Sequence, residues 1–184
     1  MGSAILLTGA PGCGKTTLLQ RVLARMEQPA AGFLTQEVRE RGIRTGFEIL
    51  TLDGRHGLLA HTRLAGRARV GKYCVNLQAL EELAADSIRT AVRQQNLAVI
   101  DEIGPMELLS PPFRQAVEEA LRSPCPVLAT IMRRSHPFAD WVKAQPEALL
   151  LEVRSDNREG LVDEILRLVG QMIHGRGAPQ TGRS

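Results

Sequence analysis

GAPGCGKTTL, residues 9–18, decides the fold. The string matches G-x-x-x-x-G-K-[ST] at Gly9, Gly14, Lys15 and Thr16. Ahead of it, SAILL (residues 3–7) is a short apolar run of the kind that makes a buried strand. Behind it, Leu18, Leu19, Val22, Leu23 and Met26 recur at helical spacing until Pro29 forbids continuation. Strand, glycine turn and helix, in that order, form the setting of a phosphate-binding P-loop, the Walker A motif. Glycines let the backbone curl so that successive N–H groups face phosphate oxygens, and the helix N-terminus adds its positive dipole end. The predicted nucleotide-binding set is therefore Gly9, Ala10, Pro11, Gly12, Cys13, Gly14, Lys15, Thr16 and Thr17. Lys15 is placed to reach the β- and γ-phosphates, and the Thr16 hydroxyl to bind Mg2+.

A P-loop needs a carboxylate near the metal, and LAVIDEIG (residues 97–104) supplies one. Asp101 ends an apolar strand, at the carboxyl edge where open α/β sheets bind ligands. Its expected role is the Walker-B one, holding Mg2+ together with Thr16. Glu102 follows directly and is placed to polarise an attacking water; the competing reading is a cap or ion-pair acid. Thr130 ends a further apolar run, PVLAT, and either addresses the γ-phosphate and its water or is satisfied within the next turn. Arg133 and Arg134 follow on the same edge, as charge-stabilising arginines supplied in cis or as solvated surface charges.

The rest of the chain alternates strands and helices. Residues 32–52 read as two strands joined by a turn near residues 40–42, with Thr35, Glu37 and Arg39 on one face of the first. Arg39, Arg41 and Arg44 on this hairpin are candidate acceptor or γ-phosphate contacts, or an edge-protecting charge cluster. DGRHG (residues 53–57) reads as a turn and residues 70–75 as a short strand. Residues 77–95 carry an apolar stripe at helical spacing, residues 111–121 a helix with Pro at its opening turn, and 138–144 a short helix. The last strand is 148–153, followed by a helix that Asp156 or Asn157 would cap. Asn157 and Arg158 lie in the loop that neighbours the nucleotide base in such sheets. The pattern predicts an α/β fold: a mostly parallel sheet covered by helices on both faces, with an antiparallel hairpin added. It forms one domain over residues 1–173, and residues 174–184 are expected to be a disordered tail.

Composition narrows the function classes. Aromatic residues are only 3%, so the core must rest on Leu, Val, Ile and Ala. Lysine occurs only at Lys15, Lys72 and Lys143, which sets the one in the glycine turn apart from a background of arginine. A net charge of +3 is too small for the basic stripe of a dedicated nucleic-acid binder. Cys13, Cys74 and Cys125 are scattered, so no disulfide framework or zinc site is expected, and a reducing, cytoplasmic setting is the simplest reading. No apolar run reaches the roughly 20 residues that span a bilayer. The [NT]-K-x-D string of guanine-specific proteins does not occur.

GAPGCGKTTL, GFLTQEVRERGIRTGFEILTLDGR, VGKYCVN, VIDEIGPMELLSPPF and VLATI, in this order, resemble the small nucleoside-triphosphatases first described from thermophiles, a family that includes the human cancer-related nucleoside-triphosphatase. The likeness runs from about residue 4 to 168. It implies a three-layer, Rossmann-like P-loop fold of the RecA-like branch. It further implies Mg2+-dependent hydrolysis of ATP, GTP, CTP and UTP to diphosphates, the position of Glu102 as catalytic base, and a monomer. Pro105 is a departure, since the family often has lysine there. The alternatives are a P-loop kinase, whose acceptor the hairpin arginines would bind, and a nucleotide-dependent binding module, against which the intact Asp101–Glu102 pair argues.

Overall fold

The computed structural model describes residues 3–174, so the expected tail lies, but for His174, outside the described residues. Nine strands form a single sheet in the order β5-β6-β4-β3-β2-β7-β8-β1-β9. Five of them, β2 (Ala30–Glu40), β7 (Leu97–Ile103), β8 (Val127–Ile131), β1 (Ala4–Thr8) and β9 (Ala148–Glu152), pair in parallel. The strand leading into the glycine turn and β7, which carries Asp101 and runs on to Ile103 past the strand end expected from sequence, are thus separated by β8, which ends at Thr130 and Ile131.

Strand alternation sorts the core into two layers. Ile5 and Leu7 of β1, Leu97 and Val99 of β7 and Leu128 of β8 pack beneath α1 (Lys15–Arg25) and α6 (Arg158–His174). Ala4, Leu6, Ala98, Ile100 and Ala129 face the other way, toward a continuous helix built from α2 (Leu77–Ala79), a π-helical stretch (Leu80–Ala85) and α3 (Asp86–Gln94). That layer also holds α4 (Pro111–Arg122) and α5 (Pro137–Lys143). Both faces of the central strands β1, β7 and β8 are buried, which is why they read as nearly unbroken apolar runs, whereas edge strand β9 leaves Leu149 and Leu150 exposed. Ser110 caps α4 by accepting the Phe113 N–H at 3.2 Å, with prolines in the first turn.

The hairpin prediction holds, with β2 and β3 (Ile43–Thr51) antiparallel, but β2 also pairs in parallel with β7 and so belongs to the central sheet. The antiparallel addition is larger than a hairpin. β3 pairs with β4 (His56–His61), β4 with β6 (Tyr73–Val75), and β6 with β5 (Arg69–Val70). β4 was not foreseen because His56 and Gly57 look like turn residues. The actual turn falls at residues 52–54, where the Thr51 hydroxyl donates to the Arg55 carbonyl at 2.8 Å.

Gly32 marks where the two parts of the sheet meet. Its φ is +131°, and a Cβ there would collide with the Val99 carbonyl of β7. One residue on, Phe33 is fully buried and meets Phe113 edge-to-face at a centroid distance of 6.1 Å. Phe33→Ala is expected to destabilise the fold by about 3–5 kcal/mol in urea unfolding. A loss below about 1 kcal/mol would mean that this junction does not hold α4 onto the sheet.

Candidate active site

The glycine turn takes the predicted form. Gly12 and Gly14 have φ of +77° and +96°, left-handed values that other residues resist, and α1 begins directly after Gly14. The loop, with Gln20 of α1, Thr35, Gln36 and Glu37 of β2, Arg44 and Phe47 of β3, Asp101 and Glu102, walls a cavity of about 530 Å3. A Cβ at Gly9 would collide with both the Val153 carbonyl oxygen and the Cys13 sulfur.

Asp101 is the centre of the site. It is 1% exposed, and four donors converge on its two oxygens. The Thr16 hydroxyl donates to Oδ1 at 3.2 Å and the Thr130 hydroxyl to the same atom at 2.7 Å. The Thr35 N–H and hydroxyl donate to Oδ2 at 3.2 and 3.1 Å. A buried carboxylate needs such partners, because its hydration is lost. The Thr130 hydroxyl is therefore engaged by Asp101. Thr35 did not emerge as a site residue from sequence; its one signal was its place on the Thr35–Glu37 face of β2.

Glu102 is half-buried, with its carboxylate 3.7 Å from the Lys15 ammonium. The ammonium also donates to the Gly9 carbonyl at 3.4 Å. Burial raises the Glu102 carboxyl above the usual carboxylate range; Lys15 pulls it back and the Asp101 charge adds to the rise. A second acid, Glu107, sits behind it and was not foreseen. Gly104 lies between the two carboxyl groups, its missing Cβ leaving room for both. Glu107 is 5% exposed; burial pushes it up to about 8, the charges of Glu102 and Asp101 add, and the N–H groups of Glu107 and Gly104 oppose. An acid in an apolar string with no basic residue nearby was the available signal.

The structure separates the candidate arginines. Arg44 lines the cavity, donating to the Tyr73 hydroxyl at 3.2 Å and to Glu37 at 2.8 Å, with its guanidinium 5.2 Å above the Phe47 ring. Arg44 first, then Arg39, lowers the Glu37 carboxyl. A β-bulge between Val38 and Arg39 breaks the strand alternation, and Arg39 turns to Glu37 and the Gly42 carbonyl. Arg133 and Arg134 are exposed in the loop after β8 and line no part of the cavity. On the far side, the Arg158 side chain lies over Gly14, and its Nε is buried without a hydrogen-bond partner among the described residues. Asn157 accepts from the Arg154 N–H and donates to the Glu152 carbonyl, both at 2.9 Å, so its side chain fastens the β9–α6 loop and does not cap α6.

A family model described as NTPase matches residues 4–166. The chain belongs to this nucleoside-triphosphatase family. It is 48% identical over 165 residues to a protein from Thermotoga sp. (strain RQ2) named nucleoside-triphosphatase THEP1, covering 90% of this chain and 94% of that one. It is 38% identical over 185 residues to the mouse cancer-related nucleoside-triphosphatase homolog, covering 92% and 97%. The crystal structure of THEP1 from Aquifex aeolicus superposes with a TM-score of 0.83 at 38% identity, covering 90% of this chain and 98% of the other. The solution structure of a human cancer-related nucleoside triphosphatase gives 0.78 at 35% identity, with both chains fully covered. The family carries the Rossmann-like P-loop fold that the sequence strings implied. Among the described residues no helix is long and apolar enough to cross a membrane.

Glu107 links this site to stability. Its folded pKa of about 8 lies above the ordinary 4.5, so between these values the folded state holds a proton that the unfolded chain has lost. Its contribution is therefore unfavourable above about pH 4.5 and grows until about pH 8. Glu107→Gln is expected to be more stable than wild type by on the order of a few kcal/mol at alkaline pH, and indistinguishable below the ordinary value. Thermal unfolding across pH checks this; parallel pH profiles for the two proteins would contradict it.

Proposed function

We propose that the protein is a Mg2+-dependent nucleoside-triphosphatase that cleaves ATP, GTP, CTP and UTP to diphosphate and phosphate. The observation that carries this reading is the placement of Glu102 beside Lys15 and next to the four-donor Asp101 carboxylate, at the mouth of the glycine turn. The backbone of the loop from Gly9 to Thr17 and the Lys15 ammonium bind the phosphates. The γ-phosphate competes with Glu102 for Lys15, which leaves the Glu102 carboxylate free to accept a proton from water. The water oxygen then bonds to the γ-phosphorus as the bond to the β,γ-bridging oxygen breaks, giving diphosphate and phosphate.

Thr16 and Asp101 would hold Mg2+, which supplies neutralisation of charge on the phosphate oxygens. The donor set suits this ion: it is all oxygen, one carboxylate with hydroxyls beside it. Among the described residues there is no cluster of three or more His, Cys, Asp or Glu side chains of the sort that fits a transition metal. Thr130 and Thr35 act through Asp101 as positioning residues. Arg44, on the cavity wall, is the arginine we assign to the γ-phosphate, in preference to exposed Arg133. At the base side Arg158 is the available contact, with Asn157 holding its loop. A single guanidinium with no guanine-reading string supports broad base tolerance. The scattered cysteines support a cytoplasmic setting, the family resemblance a monomer, and the mild charge ligands that are nucleotides and not nucleic acid.

Phosphate release from the four triphosphates, with and without Mg2+, tests this. Wild type should release phosphate from all four only with the metal. Lys15→Ala and Glu102→Gln should each fall by about 10²–10⁴-fold. Arg44→Ala should fall by at least about tenfold, while Arg133→Ala stays within about twofold. Because burial raises Glu102, the acid limb of kcat should lie at higher pH than an ordinary glutamate gives. Undiminished release by Glu102→Gln would remove it as the base.

A further inference from the structure

Resting on the reading of Glu102 as the proton acceptor, we propose that the cavity behind it is a binding site for an aromatic alcohol that takes the γ-phosphoryl group in place of water. This second cavity, of about 440 Å3, shares Pro11, Thr35, Arg44, Phe47 and Glu102 with the phosphate cavity. The two spaces therefore adjoin along these residues, with Glu102 common to both. Water does not need such a chamber: one molecule takes about 30 Å3 of liquid volume. A space of this size matches small-molecule pockets, which run from roughly 300 to 1,000 Å3.

The lining selects the occupant. Phe47 of β3, Leu59 of β4, Val70 of β5 and Met106 supply apolar surface from four separate segments. Polar side chains are few: Thr35, Arg44, whose guanidinium donates to the Tyr73 hydroxyl, and the acids Glu102 and Glu107. Apolar walls that include the Phe47 ring, with a few polar groups among them, suit an aromatic body. A hydroxyl carried by that body toward Glu102 lies on the same side as the phosphates. All the antiparallel strands beyond β2 contribute to this chamber: β3, β4, β5 and β6 each supply a lining residue.

The step balances without another reagent. The alcohol oxygen bonds to the γ-phosphorus, its proton passes to the Glu102 carboxylate, and the bond to the β,γ-bridging oxygen breaks. The products are a phosphate monoester and the nucleoside diphosphate, and Glu102 returns its proton to solvent. Hydrolysis is the same step with a water beside Glu102 on the phosphate-cavity side in place of the alcohol.

The test uses γ-labelled ATP with Mg2+ and benzyl alcohol, 4-hydroxybenzyl alcohol and thymidine as probes, following labelled phosphate and labelled ester together. Wild type is expected to form ester from at least one probe, with a matching fall in free phosphate. Val70→Trp fills the chamber from a strand outside the phosphate site, and should lose ester by about tenfold or more while phosphate release stays within about twofold. Val70→Phe, a smaller intrusion, should fall between, and thermal unfolding confirms that both variants fold. Ester formed equally by wild type and the folded variants would overturn the assignment of this chamber. Unchanged phosphate release with no ester from any probe would overturn the alcohol site while leaving the hydrolase reading intact. Absence of both phosphate and ester from wild type would instead bring down the hydrolase reading, and this proposal with it.

Discussion

The structure depends on how a single carboxylate is kept inside it. Asp101 sits almost fully buried, and desolvating a carboxylate without partners is costly enough to oppose folding. Its four donors come from three places remote in sequence: the first turn of α1, the middle of β2 and the end of β8. They meet only if β2, β7 and β8 lie side by side and parallel, with the helix after β1 starting at the same edge. The requirement to satisfy Asp101 thus restricts the strand order, the register and the position of the glycine turn together. The same carboxylate is the one proposed to hold Mg2+, so on that reading the fold and the chemistry share a group.

Around this hub the charges are graded by burial. Lys15 and Glu102 form a close, half-accessible pair at the cavity mouth. Glu107, deeper and without a basic partner among the described residues, is driven toward its neutral form. Both acids beside Gly104 are shifted upward, Glu107 to about 8, and a neutral Glu107 keeps like charge from accumulating beside Glu102 and Asp101. The antiparallel strands close the outer wall, and the Arg44, Glu37 and Tyr73 contacts tie that wall to β2.

Legibility in the sequence follows contact range. The P-loop could be read because its chemistry is contiguous: the glycines, Lys15 and Thr16 occupy one turn between a strand and a helix. Asp101 and Glu102 could be read because a buried strand advertises its end. Thr35 could not, since its role appears only when β2 is laid beside β7. Glu107 has no local periodicity to betray a carboxyl aimed at the space behind Glu102. β4 was hidden by His56 and Gly57, whose strand conformation comes from pairing with β3 and not from their own preference. Asn157 looked like a helix cap because Asn often is one; its amide instead bridges the Arg154 and Glu152 backbone. Arg44 and Arg133 were equivalent on paper, and only the course of the hairpin over the loop distinguishes them.

The most direct check of the central claim is the affinity of ATP for wild type and Asp101→Asn, titrated with and without Mg2+. The side chains are nearly the same size, and only the aspartate carries charge for a cation. If Asp101 is the metal-holding hub, Mg2+ should tighten ATP binding to wild type and have little effect on the folded variant. If Mg2+ tightens binding equally in both, the cation is held elsewhere, and the site must be rebuilt around a different group.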